Sequence, residues 1–536
     1  MQLKRFISQI FKLTACTVAG IFAFSVAAED ALPPPLPEFS NLAKAKWNLG
    51  KYGKKSVKNG KTFLTIDVPT GSPDKGNTNC AATQINLSKF RGESLCFMIK
   101  ARAKDVSEPR HGYNGVKFMV NYKDGAGDEF YYNTINLKGT FDWQNISFIT
   151  LVSESATNAT LYLGLQDSTG EVEFELSTLR VFRLFPRINQ NYKARYSKKI
   201  AETPLLRGVM SPASAILTDD DLRTLHEWNV RLVRVQLNLG WDDWKASDLN
   251  EYDKWLNNKL DQLEDMFKRA EKYDIKFVID LHSPPGGRRN DRNMKMFYEE
   301  KYADHFLQVW ERIAKRFKGN PAVWAYDLVN EPDQSHPAKY DYWNLQRAAA
   351  EAIRKIDPAT PIVIASNDWE APSSFSYLSP LAMKDIIYQV HMYLPGPYTH
   401  QLLFNTFEEQ GSRLIGYPGM IGNEKWDKEM IRKHLKPVRD FQLRHNARIY
   451  VGEFSAVAWA PGAADYLRDC IEVFEEYGWD WTYHAFREGW SGWSVEHEAT
   501  KPTDLKPAKE DTDRKKVLLK YFKLNPPVWK NSANSK

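Results

Sequence analysis

Past its first 28 residues, no stretch of this sequence approaches the roughly 20 apolar residues that a membrane-spanning helix requires. The expectation is a mature chain with no integral membrane span. Cysteine is scarce as well, at 4 in 536 residues, which excludes a small disulfide-stapled scaffold. Net charge is low: 73 basic against 67 acidic residues leave +6, and discounting Lys4, Arg5 and Lys12 of the leader leaves +3. No nucleic-acid partner is expected on that balance. The sequence has no phosphate-binding glycine loop, no dinucleotide fingerprint, no His-Glu-x-x-His zinc spacing and no nucleophile elbow. Asp280-Leu281-His282 is half of a metal-dependent hydrolase pattern, but the second histidine of an adjacent pair is missing, so neither a catalytic metal nor another cofactor is expected.

What is abundant is aromatic: Trp, Tyr and Phe make 13% of the chain, more than a core needs. Flat aromatic faces suit the gripping of sugar rings or bases. Hydrophobic residues at 43% and charged residues at 26% are ordinary for a globular protein. At roughly 100–200 residues per domain the length suggests two or three domains, and a monomer is expected.

Residues 1–28 read as a secretory signal: a basic start, an apolar stretch and the small residues Ala27 and Ala28 at the cleavage point. A secreted or periplasmic protein follows. The alternative is a lipoprotein box at Leu13-Thr14-Ala15-Cys16, which would leave Cys16 as an outer-surface lipid anchor; Lys12 argues against it by interrupting the apolar core. Of the remaining cysteines, Cys80 and Cys96 are the only local pairing that export would permit. Cys470 shares helical spacing with Leu467, Ile471 and Phe474, which predicts a buried core thiol.

The chain has two rhythms. After a proline-rich spacer over 29–53, residues 54–185 run in short Val-, Ile-, Phe-, Tyr- and Thr-rich segments such as 62–68, 95–99, 116–122, 142–149, 159–165 and 172–182. Alternation with closely spaced turns predicts an all-β, jelly-roll-like antiparallel sandwich. It has the look of a carbohydrate-binding module, the alternative being a sandwich that only buttresses its neighbour. Residues 186–204 form a polar, lysine-rich linker. From 205 to 525 strand and amphipathic helix alternate, with eight candidate strands at 205–210, 231–237, 276–281, 323–329, 361–365, 386–390, 449–452 and 479–483. This α/β pattern predicts a (β/α)8 TIM barrel, with its chemistry at the C-terminal strand ends; 526–536 is a tail.

Polar residues fall at those ends. Strand four breaks at Asn330-Glu331-Pro332 and strand seven at Gly452-Glu453-Phe454, so two glutamates face each other across the barrel mouth. A pair about 5–5.5 Å apart suits retaining glycoside hydrolysis, one carboxylic acid protonating the departing oxygen and the other attacking the anomeric carbon.

Together with Val233-Arg234-Val235 on strand two, Asp280-Leu281-His282 on strand three and His391-Met392-Tyr393 after strand six, these motifs resemble glycoside hydrolase family 5, the cellulase-like branch of the retaining barrels. The resemblance spans 205 to the eighth helix. It implies Glu331 as acid/base and Glu453 as nucleophile. Arg234 and Tyr393 would support the ionised nucleophile, Asn330 would bond the hydroxyl beside the reacting carbon, and His282 and His391 would border the same subsite. Family members place a tryptophan at the end of strand eight as a stacking floor; His484 stands there instead, and Trp490 is the candidate substitute. Trp241, Trp244, Trp369 and Trp459 are further rim candidates. The implied activity is a secreted endo-acting β-glycanase, foremost on β-1,4-glucan, with mannan, xyloglucan or mixed-linkage glucan as alternatives. A non-catalytic glycan-binding protein is the alternative of another class; the paired glutamates argue against it.

Overall fold

The computed structural model describes residues 32–72, 76, 79–213, 216–240, 243–403, 414–488 and 492–527. They form two compact units, one over the described part of 17–187 with 335–341, the other over 188–334 with 342–527. The leader, Cys16, Trp241 and Trp490 lie outside the described residues.

The first unit is an antiparallel sandwich. One sheet runs in the order β1 (Gly53–Lys58), β2 (Lys61–Val68), β9 (Gly170–Arg183), β4 (Ser94–Val106), β7 (Gly139–Leu151); the other in the order β3 (Cys80–Asn86), β8 (Asn158–Gln166), β5 (Gly115–Lys123), β6 (Glu129–Asn133). Alternation decides which residues go inside: Leu64, Ile66 and Val68 of β2 are buried, while Phe63, Thr65 and Asp67 between them face outward. Phe148 of β7 packs edge-on against Phe118 of β5 with ring centroids 4.8 Å apart, joining the two sheets. The expected spacer over 29–53 differs from the structure: Phe39, Leu42 and Trp47 are buried in the sandwich core, and the Leu36 N–H donates to the carbonyl of Val181. Its anchors are separated by polar residues in 3₁₀ turns, so no periodicity announces them. Cys80 and Cys96 are buried thiols, one in each sheet, so the only local pairing does not form. Cys470 is a fully buried helix residue, as its spacing predicts.

The second unit is a closed parallel barrel of β10 (Arg207–Met210), β11 (Leu232–Gln236), β12 (Lys276–Asp280), β13 (Val323–Asp327), β14 (Ile362–Ala365), β15 (Ile386–Met392), β18 (Arg448–Phe454) and β19 (Asp480–Tyr483); a short hairpin, β16 (Gly419–Ile421) with β17 (Glu424–Trp426), interrupts the order. All eight expected strands are present. Leu206, Leu232, Val278, Ala325, Val363, Ile387 and Tyr450 fill the interior toward the N-terminal ends, and the polar cluster around Arg234 lies toward the opposite mouth. The 186–204 segment is not a free connector: Tyr196 Oη donates to the Ile386 carbonyl and the Ser197 N–H to Asp385 Oδ1.

The barrel closes at a buried ion pair. Asp480 of β19, fully buried, accepts Arg448 Nε at 2.6 Å and Nη2 at 2.8 Å from β18, and takes the Leu206 N–H at 2.9 Å just before β10. Removing one member of such a pair strands the other charge. Asp480→Ala should therefore lose about 3–5 kcal/mol of stability, and Asp480→Asn, which can keep the Leu206 contact, should lose less. Urea unfolding followed by tryptophan fluorescence measures both; a loss under about 1 kcal/mol for the alanine variant would show that the seam is held by packing alone.

Candidate active site

The centre of the mouth is Arg234, whose side chain on β11 has no exposure. Its Nε meets Asp327 Oδ2 at 2.8 Å, its Nη1 meets Glu453 Oε1 at 2.8 Å and its Nη2 lies 3.1 Å from Asp280 Oδ1. Strand register produces this: Gln236 of β11 pairs with Asp280 of β12, which pairs with Asp327 of β13. Nη2 also donates to Asn330 Oδ1 at 3.0 Å. His282 Nδ1 donates to Asp280 Oδ2 at 2.8 Å, and Asn330 Nδ2 donates to His282 Nε2 at 3.3 Å. One amide hydrogen of Asn330 thereby stays available to a ligand.

Glu453 sits beside His391 because the β15–β18 register shifts at Val390/His391, a bulge that re-aims the side chains beyond it. Gly452 is required there: a Cβ would come 2.4 Å from Gln389 Oε1 and 3.0 Å from His391 Nε2. Tyr393 Oη donates to Glu453 Oε2 at 2.9 Å and lies 2.7 Å from His484 Nδ1. Burial alone would raise the Glu453 carboxyl, but His391, His484 and Arg234 outweigh it and hold the group far below the usual carboxylate range.

Glu331 is presented differently. Its backbone is left-handed, at φ 47°, a conformation that strains a non-glycine residue. Both of its peptide groups are pinned: its N–H donates to Glu370 Oε1 at 2.9 Å, and its carbonyl accepts Arg288 Nη2 at 2.7 Å. Glu370 reaches inward from a turn after β14 in which Asp368, Trp369 and Glu370 all have positive φ. His391 bridges the carboxylates, with Nδ1 donating to Glu331 Oε1 at 3.0 Å and Nε2 lying 3.2 Å from Glu370 Oε2. One oxygen of Glu331, one of Glu453 and a nitrogen of His391 fall within 4.8 Å of one another. Three such groups could in principle ligate an ion, but His391 Nδ1 is engaged as a donor to Glu331 and has no lone pair to offer.

Arg234, His282, Asn330, Glu331, His391, Tyr393 and Glu453 thus converge as the sequence predicts. Among the described residues the tryptophans do not. Trp459 is packing, buried with its Nε1 donating to the Gln401 carbonyl at 2.7 Å, and the ring of Trp369 is covered by Arg288 at 4.4 Å. Trp244 is 62% exposed, the one rim candidate among the described residues with an open face. At the end of β19 the ring behind His484 is Trp493, 5.7 Å away and buried. Sequence reasoning did not single out Asp327, Glu370, Glu488 or Trp493. Only Asp327 carried a signal, a carboxylate inside an apolar strand.

The site makes stability depend on pH. Burial lowers His391, but Glu370, Glu453 and Glu331 outweigh it and raise the imidazole from 6.5 to about 9. Burial, with Asp327 adding, raises Glu370 from 4.5 to about 8 against the pull of His391. The two titrate as one coupled pair, which holds a proton in the fold that the unfolded chain would release, so stability falls as pH rises toward about 9; the His391 contribution is complete below its unfolded value and lost through its folded one. Glu453, being depressed, acts in the opposite sense, and its contribution is lost as pH falls below about 4.5. Thermal melting should therefore be highest near pH 5–6 and decline toward pH 9. Glu370→Gln, which can keep the Glu331 N–H bond, should flatten that decline; an unaltered slope would mean that Glu370 does not titrate there.

Comparison with known proteins bears on this arrangement. A family model described as Cellulase (glycosyl hydrolase family 5) matches residues 198–489. Endoglucanase C of Acetivibrio thermocellus is 27% identical over 300 residues, covering 50% of this chain and 84% of that protein. Cellodextrinase A of Ruminococcus flavefaciens is 22% identical over 273 residues, covering 48% of this chain and 75% of that protein. A solved structure titled "Crystal Structure of a glycoside hydrolase" is 22% identical, covers 59% of this chain and 99% of its own, and has a TM-score of 0.48. The family match takes in more than half of the 536 residues and every site residue named above on the barrel strands: the chain belongs to glycosyl hydrolase family 5 and is a cellulase-like glycoside hydrolase.

Proposed function

We propose that this chain is an exported, monomeric, retaining endo-β-glycanase acting on β-1,4-glucan, with Glu453 as nucleophile and Glu331 as acid/base. The observation that carries the roles is the unequal company of the two glutamates. Glu453, with a side chain 6% exposed, is contacted by a guanidinium and a phenol, which favour its ionised form. Glu331, 15% exposed, meets no arginine side chain in its carboxyl group among the described residues and turns to His391. Carboxyl oxygens within 4.8 Å of each other match the close pair, about 5–5.5 Å apart, of a retaining enzyme and fall short of the roughly 6.5–9.5 Å that an inverting one needs, which supports direct attack by Glu453 on the anomeric carbon.

Glu331 protonates the departing glycosidic oxygen while Glu453 forms the covalent glycosyl bond. It then takes a proton from water, which attacks the anomeric carbon and releases Glu453 with configuration retained. The free amide hydrogen of Asn330 bonds the neighbouring hydroxyl, and His282 fixes that amide's orientation. Export rests on the leader, and the glucan preference on the names of the endoglucanase relatives.

Variants separate the two roles. Glu331→Ala should lose about 10²–10⁴-fold on polymer yet still react with a dinitrophenyl cellobioside, and azide should give a retained glycosyl azide. Glu453→Ala should fail on both substrates, and azide should give the inverted product. Near-normal hydrolysis of carboxymethylcellulose by either folded variant would remove that glutamate from the mechanism. Faster release of reducing ends from mannan than from β-1,4-glucan would move the substrate assignment.

A further inference from the structure

The sandwich carries a second polar surface, separate from the barrel chemistry. Two ladders cross the outer face of the β1-β2-β9-β4-β7 sheet. In one, Phe63 pairs with Glu175 and Glu175 with Lys100; in the other, Thr65 pairs with Glu173 and Glu173 with Arg102. Trp143 of β7 lies beside Arg102, and Lys58 and Lys61 close the β1–β2 end. Together they line an open groove of about 390 Å³.

The groove's charges are ordered, not scattered. Glu173, with its side chain 5% exposed, holds Arg102 and lies 3.6 Å from Lys58; Glu175, 9% exposed, holds Lys61 at 3.0 Å. Both carboxylates are therefore engaged, and their role is to fix cations in place. Four cations against two carboxylates leave the groove at +2. Lys100 is half-buried, and its ammonium has no ion partner among the described residues. The aromatic rings are not bare either: Lys58 lies 5.8 Å over Phe63, and Arg102 lies 5.1 Å over Trp143. A neutral glucan would want open ring faces. These rings instead present cations outward, and immobilised cations lose little further entropy on meeting an anion.

We propose that this groove binds an acidic polysaccharide, a strand bearing hexuronate carboxylates, with Lys100 as the anchoring cation and Arg102 supported by Trp143 reading a neighbouring carboxylate. A glycan is favoured over other polyanions because the same chain is a glycoside hydrolase, and a tethering site on it raises the local concentration of polysaccharide. The inference goes beyond the barrel reading: it uses the chain's membership of a glycoside hydrolase family and does not depend on which glucan the barrel cleaves.

The test uses the full chain in affinity electrophoresis against polygalacturonate and its fully methyl-esterified form, which share a backbone and differ in charge. The acidic form should bind at least about tenfold tighter, and Lys100→Gln and Trp143→Ala should each remove about tenfold of that affinity. Both variants should hydrolyse soluble cello-oligosaccharides at the parental rate, which also reports that they fold. Equal binding of the two polymers would overturn the proposal, as would Lys100→Gln binding like the parent. Duplex DNA bound as tightly as polygalacturonate, and weakened equally by both variants, would overturn it in favour of a general polyanion surface.

Discussion

The buried guanidinium of Arg234 is the constraint on which the rest of the barrel mouth depends. Each of its nitrogens answers a different carboxylate, so one side chain ties β11 to β12, β13 and β18. Three carboxylates around one arginine leave an excess of negative charge where burial removes solvent screening. Burial, opposed by Arg234 and reinforced by Asp280, lifts Asp327 to about 6. The excess also explains why His391 and His484 are raised although burial alone would lower both. The histidines are the remaining counter-charge, and Glu453 stays ionised because it lies among all of them.

Glu331 is placed by other means, through its backbone. A non-glycine residue at φ 47° costs about 1–3 kcal/mol, and it persists where neighbours over-determine it. Glu370 and Arg288 do so from two different loops, one on each side of the Glu331 peptide. The loop that delivers Glu370 is itself held in left-handed conformations, so strain after β14 is used to fix strain after β13. A more relaxed turn at Glu331 would let the carboxyl swing away from His391, and the approach of the two glutamates would be lost.

This explains what the sequence made legible. Strand ends are readable because an apolar run that stops at a polar residue marks both the element and the mouth of the barrel; Asn330, Glu331 and Glu453 are legible that way, whereas Arg234, His282, His391 and Tyr393 are named by the resemblance to the family. Glu370 and Glu488 sit in turns, where no period distinguishes a catalytic neighbour from a solvated carboxylate. In the sandwich, β1, β3 and β6 went unread because their charged and polar residues dilute the alternation, as in Gly53–Lys58. The missing disulfide has the same origin: closeness in sequence does not reveal that Cys80 and Cys96 belong to different sheets.

The substitution of His484 for the expected aromatic floor follows from counting protons. A tyrosine hydroxyl carries one hydrogen, and Tyr393 donates it to Glu453, so His484 Nδ1 at 2.7 Å must be the donor to the Tyr393 oxygen. Its other nitrogen, 3.2 Å from Glu488 Oε2, then has a carboxylate to receive a second proton. Burial lowers His484, yet Glu453 and Glu488 outweigh it, which is the direction a doubly protonated ring requires. The chain Glu488–His484–Tyr393–Glu453 therefore has one consistent orientation, with every hydrogen pointing away from the ring and toward an acceptor. An indole could not take this place: it has one donor and no second proton to give, and Tyr393 would lose the partner that turns its hydrogen onto Glu453. The ring at the end of β19 works as an electrostatic support of the ionised Glu453, and Trp493 packs behind it as a wall.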